Sequence, residues 1–469
     1  MTIARRYHEA TKHFPGRPSA NPYGLEWRNE PDLFKRYSGI DTEPPPEKIA
    51  RLLRLGAGVH PRRRDPHFRT FMSAGALHPV ELYLATELGL AHFHPGEGMV
   101  RRLRAEEVRA ALARAAAAPE VAEAAAILVL TGIVWRTAWK YGARGWRHVF
   151  WDTGAMLANL LALADEGGLD PRLFTAFADA EVARVIGTDP PEEAPVALLA
   201  LGHAPATSPP GALPPVRHEV LPLSPRENRF PEAEEVQAAS ELATEDEVRT
   251  WREAAAQFGD RRDGGETPAQ LDRVILRRGS ARDFTLDAIE RDEVASALRW
   301  ACAEVPGDLP RLCSASVIAH AVEGLRPAAY RFDPPDRFEP VREGRQSPVA
   351  RREAVLRRDT AHLCLDQPLG GRAAATIFFT ADLDRVLSAL GDRGYRAAQL
   401  DAGIRAGRLS LGAYARGLGA TGLTFYDDEV RDFLRTGHEP MMCVAIGVDA
   451  RRALRPMRPG RLPPPGTAS

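Results

Sequence analysis

Lysine is scarce in this chain. Of its 62 Lys and Arg residues only four are lysine: Lys12, Lys35, Lys48 and Lys140. Arginine cannot give up its proton in a protein and lysine can, so a lysine that survives such a bias is worth noting. Cysteine is scarce too. Cys302, Cys313, Cys364 and Cys443 are scattered and form no CxxC pair. They read as reduced core thiols, not as a disulfide framework. No apolar run approaches the ~18–20 residues that a membrane span needs, and the first residues lack the apolar core of a signal peptide. A cytoplasmic location without a membrane partner is therefore expected. The formal net charge of −1 over 469 residues provides no basic face, which argues against a nucleic-acid partner. No GxxxxGK[ST] occurs, and Gly417–Gly422 fits GxGxxG only formally, because it follows a helical pattern and not a strand. His92 and His94 would share one face of a strand with no third ligand in view, so no metal centre is expected.

What the chain does have is a repeat. Residues 142–169 and 391–418 align without a gap at an offset of 249, pairing Gly142, Arg144, Gly145, Arg147, Asp152 and Gly154 with identical residues, and Leu160, Gly168 and Leu169 as well. So many identities imply an internal duplication. In the first copy Phe150, Thr153, Leu157, Leu160, Leu161 and Ala164 line one face at helical spacing. Met156 and Leu163 widen that face, which predicts a helix buried nearly all round and stopped by Gly167-Gly168.

Strands are predicted at 80–86, 125–133 and 196–201, with repeats at 376–380 and 441–447. Some lie too close together for crossover helices, which predicts an α+β fold with a central, mainly antiparallel sheet flanked by helices in each copy. Ser314-Ala315-Ser316 is read as the counterpart of Ser73-Ala74-Gly75. The expected division is residues 1–203, a Pro-rich linker and helix-prone segment at 204–257, and residues 258–469. Two copies on one chain imitate a homodimer, so an intrachain pseudo-dimer is expected, its apolar central helices in contact. A further homodimer stays open.

Two short stretches carry chemistry. Arg277-Arg278-Gly279-Ser280-Ala281-Arg282 offers guanidiniums, a hydroxyl and loop amides, which suits a phosphate monoester or, more simply, a solvated turn. Its counterpart, Arg36-Tyr37-Ser38-Gly39-Ile40, has Ile where Arg282 stands. Lys140-Tyr141 can position and shuttle protons at a loop–helix junction. Ala389-Leu390 replaces the pair in the second copy. Trp135, Trp139, Trp146 and Trp151 crowd the same region, as walls for a flat ligand or as core. Asp152 and Asp401 read as helix caps or as buried partners of Arg147 and Arg396.

RRGSARDF resembles the phosphate-binding opening of the FMN-dependent nitroreductase superfamily. YHEATKH, SAGALHPVELYL and WKYGARGWRH resemble its SagB-type branch, which includes flavin oxidases that turn thiazolines and oxazolines into azoles. The resemblance implies two tandem nitroreductase-like domains with FMN at their interface. It also implies that Arg278, Ser280 and Arg282 hold the FMN phosphate, helped by Arg452 or Arg455. Ser73, Ala74 and Gly75 of the other half would reach the flavin edge, His148 would face the flavin, and Lys140 and Tyr141 would match the Lys-Tyr dyad of the azoline oxidases. Such an enzyme would oxidise a small molecule or modified peptide, with oxygen reoxidising the cofactor. An NAD(P)H-dependent nitro or quinone reductase and a flavin-free scaffold are the alternatives. The sequence departs from the pattern in Gly279, in Trp146 where Tyr is usual, and in having no visible substrate-recognition domain.

Overall fold

The computed structural model describes residues 1–16, 21–63, 65–206, 213–216, 218–258, 265–342 and 349–453. The first half contains β1 (Thr42–Glu43), β2 (Val80–Thr86), β3 (Gly89–His94), β4 (Met99–Arg104), β5 (Ala126–Gly132), β6 (Arg172–Phe174) and β7 (Ala194–Leu201). They form one antiparallel sheet in the order β1-β4-β3-β2-β5-β7-β6. Every residue of β5 and β7 is buried. Their continuous Ala/Val/Ile/Leu runs follow from burial on both faces.

The second half contains β8 (Cys313–Ala319), β9 (Ala328–Asp333), β10 (Arg337–Arg342), β11 (Ala375–Ala381), β12 (Gly419–Leu423) and β13 (Glu439–Gly447). Their order, β10-β9-β8-β11-β13-β12, repeats the first sheet without β1. The fold is α+β with two tandem copies. Register corrects one expected alignment. Val80 pairs with Gly132 in the first sheet and Cys313 with Ala381 in the second, so β2 and β8 correspond at an offset of 233. Ser314-Ala315-Ser316 therefore lies inside β8, where it corresponds to Glu81-Leu82-Tyr83 and not to Ser73-Ala74-Gly75. The Ser-Ala identity misled because a strand and the loop before it share those residue types.

The predicted central helix runs over Gly145–Glu166, buried from Gly145 to Ala164. Its counterpart, Leu383–Ala415, breaks at Gly391 (φ 60°), which corresponds to Gly142 (φ 59°). The two helices cross at their matched glycines. A Cβ on Gly403 would lie 2.8 Å from both the Phe150 carbonyl oxygen and the Trp151 Cα, and one on Gly154 would strike the backbone of Gly403 and Ile404. Only glycine permits this backbone contact at the seam.

The halves are also locked by crossed ion pairs. Arg144 and Arg147 of the first half bind Asp427 of the second at 2.9 and 3.0 Å, while Arg393 and Arg396 of the second bind Asp179 of the first at 2.5 and 2.9 Å. All six side chains are buried. Burial alone would raise the Asp427 carboxyl, but Arg144 and Arg147 overcome it and hold it down at about 2. Neither arginine of the Arg147 and Arg396 pair uses the aspartate of its own helix. Asp152 and Asp401 instead accept backbone N–H groups from the loops before β2 and β8.

The N-terminal helix, Ile3–Ala10, is capped by Thr2 and lies across both halves. Tyr7 donates to the Ala143 carbonyl at 2.7 Å, and the Ala4 N–H donates to Asp392 at 2.7 Å. The helix-prone stretch between the halves resolves into two helices, Pro231–Ala239 and Glu245–Ala256, the latter opened by a Thr244/Glu247 capping box. No helix among the described residues is long and apolar enough to cross a membrane.

Candidate active site

Asp152 on the first central helix organises the loop before β2. Its carboxylate accepts the Ser73 hydroxyl and, at 3.0 Å, the Ala74 N–H. Ser73 Oγ in turn accepts the His78 N–H at 3.0 Å. These bonds shape a tight loop in which Gly75 takes φ 64°. A Cβ there would stand 2.8 Å from the Tyr141 hydroxyl and 3.3 Å from Lys140 Nζ. The Ser73-Ala74-Gly75 loop and the Lys140-Tyr141 pair thus meet directly. Tyr141 stacks on His148, ring centroids 4.2 Å apart and 14° from parallel, and His148 packs edge-on against Trp151 at 4.6 Å. Trp135, Trp139, Trp146 and Trp151 are all buried, so this crowding is core.

Burial sets the protonation of the cluster. Asp152 has no cation beside it, and desolvation raises its carboxyl to about 7 despite the Ser73 and Ala74 hydrogen bonds. Its counterpart Asp401 pairs with Arg405 at 2.9 Å, where the first half has Met156. Desolvation, and then the nearby Asp152 charge, push the Tyr141 phenol well above its usual value, so it is a proton donor at ordinary pH. Desolvation together with Arg144 pushes the His148 imidazole well down, and the ring is neutral.

The Arg-rich turn lies at the other end of the same loop. Arg278 is buried and donates to three carbonyls: Thr70 at 3.2 Å, Arg69 at 3.1 Å and Gly279 at 3.2 Å. The first two belong to the first half, so Arg278 serves as a clamp between the halves and most of its fork is committed. Gly75 follows Thr70 by five residue steps, at most about 18 Å of chain. Ser280 and Arg282 are exposed at the turn, and Arg277 lies half-buried just before it. The Ala281 N–H donates to Ala420 on β12 at 3.0 Å, and the Ala450 N–H to Asp283 at 3.1 Å. The latter bond starts the short helix Ala450–Ala453, which carries Arg452. The Arg452 side chain and all of Arg455 lie outside the described residues.

These residues suit an anion. Desolvation holds Arg278 down at about 10, and Arg63 opposes its charge as well. No ion pair among the described residues includes Arg63 or Arg278. A phosphate would supply the missing negative charge.

The corresponding residues in the other direction make protein contacts of their own. Arg36 pairs with Asp32 at 3.2 Å, and the Ser38 N–H donates to Glu219 of the linker at 2.9 Å. Where the dyad would stand, Trp251 of the linker helix donates to the Leu390 carbonyl at 3.1 Å. Asp308, in the segment before β8, accepts from the Thr175 N–H and hydroxyl and the Ala176 N–H.

The family model described as "Nitroreductase family" matches residues 41–203 and again 275–448. The chain belongs to the nitroreductase family. A relative from Methanocaldococcus jannaschii, named "Putative nitroreductase MJ1384", is 31% identical over 162 residues, which is 33% of this chain and 79% of the relative. A crystal structure of a "putative nitroreductase" from Anabaena variabilis has a TM-score of 0.77 at 23% identity, covering 96% of this chain and 99% of that one. That structure shares the fold along its whole length, and so the tandem arrangement of a nitroreductase pair. In this chain the sequence marked Asp152 only as a cap or an arginine partner, and its link to Ser73 has no local sequence sign; Arg63 was not singled out at all. His92, set aside as a ligand for want of partners, donates or accepts at 2.7 Å with Glu81. Glu9, His8 and Glu439 approach one another, but the Lys12 ammonium already lies 3.0 Å from Glu9 and 3.2 Å from Glu439.

Proposed function

We propose that the chain is an FMN-dependent oxidoreductase of the SagB type, with residues 1–203 and 258–469 as its two domains and 204–257 joining them. It dehydrogenates a heterocycle or a similar C–N or C–C bond in a small molecule or modified peptide. The observation that supports this most is the convergence at Gly75. The flavin-edge loop lies against the Lys140 and Tyr141 side chains, and its base is tied to the Arg-rich turn of the other half through Arg278.

FMN, when bound, supplies the two-electron acceptor and its reoxidation by oxygen. Arg278 and the Ser280 hydroxyl, with Arg282 and Arg277, hold the phosphate end. Ser73, Ala74 and Gly75 border the ring, and the loop's fixed bonds to Asp152 keep that border rigid. His148, neutral and stacked on Tyr141, forms an aromatic wall. Tyr141 stays protonated, so it orients substrate by donating a hydrogen bond, and together with Lys140 beside it manages the substrate proton. Trp251 bound to the Leu390 carbonyl, where the dyad would otherwise stand, supports one complete site per chain.

The test is the visible spectrum of the purified protein, followed by a count of FMN released on denaturation. One FMN per chain is expected. Lys140→Ala and Tyr141→Phe should keep the flavin yet lose dehydrogenation of a thiazoline- or oxazoline-containing peptide under air. A protein that binds no flavin even after adding FMN is the scaffold. Two FMN per chain would mean that the Arg36 site is open. Retained flavin with electrons drawn only from NAD(P)H would favour the reductase.

A further inference from the structure

The expected phosphate turn is unusual in carrying Gly279 between Arg278 and Ser280, and the structure supplies a reason. The Arg63 guanidinium, from the loop after helix Glu47–Ala57 of the first half, lies over that glycine. A Cβ on residue 279 would stand 3.3 Å from Arg63 Nη2, tight enough that the guanidinium would have to yield. Arg63 is held there from its own side: its N–H donates to the His60 carbonyl at 3.0 Å, and its guanidinium covers the Phe68 ring at 4.5 Å. His60 in turn reaches the Leu276 carbonyl at 3.0 Å, just before the turn. The Arg63 loop is thus docked on the helix that leads into the turn. Two guanidiniums, exposed Arg63 and buried Arg278, approach one another, and among the described residues no carboxylate pairs with either, an arrangement that repels until an anion enters. Arg278 has already spent three N–H groups on carbonyls, whereas none of Arg63's guanidinium N–H groups is used in this way among the described residues.

We infer that Arg63 completes the anion pocket of the other half's turn, binding the terminal phosphate monoester of the cofactor in trans, and that Gly279 is glycine to admit it. The inference rests on the FMN reading above and adds to it a ligand from the opposite half. The phosphate is then gripped from both halves.

The experiment compares FMN with riboflavin, which lacks only the phosphate, by fluorescence titration of the full-length chain stripped of flavin. The wild-type protein should prefer FMN. Arg63→Ala should weaken FMN by about 10- to 100-fold, the loss of one or two charge-assisted hydrogen bonds, and leave riboflavin unchanged. The salt dependence of FMN binding should become shallower. Gly279→Val should act in the same direction by displacing the guanidinium. If Arg63→Ala leaves FMN affinity intact while the wild type still prefers FMN, the phosphate turn stands and the role of Arg63 is refuted. If it weakens both flavins equally, Arg63 supports the fold and the inference is equally refuted. If the wild type binds the two flavins alike, the phosphate reading of the turn itself fails, and the inference with it.

Discussion

Replacing Asp152 with Asn should change how stability depends on pH. The Asp152 carboxyl is fully buried with only neutral donors around it, which raises it from 3.8 to about 7. Between those values the folded protein keeps a proton that the unfolded chain has released, so stability must fall as pH rises through this window. The contribution is fully present below the unfolded value and gone above about pH 7. From pH 5 to pH 7 the loss from this one group is about 2 kcal/mol, allowing for partial ionisation of the native carboxyl near pH 7. Asn is the same size and does not titrate, so the variant should lack this part of the slope. Urea unfolding at pH 5, 6 and 7, wild type against Asp152→Asn, reads the difference directly. The variant should gain on the wild type by that amount as pH rises. Parallel pH profiles would refute the argument, since they would mean that Asp152 is ionised in the native state throughout. The same titration also reaches the candidate site, because ionised Asp152 accepts the Ser73 hydroxyl and adds to the pressure keeping Tyr141 protonated.

Two further changes test the packing of the halves. Gly403→Ala places a methyl 2.8 Å from the opposing helix backbone and should cost about 3 kcal/mol, seen as a lowered Tm; no loss would mean that the helices are not in backbone contact. Asp427→Asn leaves Arg144 and Arg147 buried without their counter-ion and should cost about 3 kcal/mol. Limited proteolysis should then cut first near Thr11, whose carbonyl and hydroxyl share those guanidiniums; unchanged cutting would refute the link.

How far the sequence announced all this depended on the range of each signal. The central helices were legible because their burial writes itself into every residue from Gly145 to Ala164. Strands β2, β5, β7, β11 and β13 were legible as apolar runs. The partially exposed β9 and β10 were not, since β9 exposes Arg331 and carries mixed polarity. Of the candidate site, Lys140-Tyr141 was marked by the scarcity of lysine and by its chemistry, the Ser73–Gly75 loop by resemblance, and the structure brings them together. Residues acting across the halves stayed hidden. Arg63 lies in an Arg-rich loop that looks like any solvated run, and its neighbour Gly279 is 216 positions away. Asp179 and Asp427 were a missed clue: they match at an offset of 248, and a repeat search extended past the central helix would have exposed them. The slip over Ser314 had the opposite cause, a local identity that strand register overrules.

The exchange of guanidiniums and carboxylates between the halves has a consequence for how this chain can be made and divided. A half expressed alone would bury an aspartate whose neutralising arginines are on the missing piece, and would strand two arginines of its own. Neither fragment is a smaller working protein. Cut within the linker and produced together, the two should find each other and fold only as a pair, each supplying the other's counter-charges. Joining them on one polypeptide guarantees a partner of the right kind at every synthesis. With the single site proposed here, that guarantee would let one composite cleft keep its chemistry while the other is surrendered to tryptophan and linker, a division of labour closed to a dimer of identical subunits.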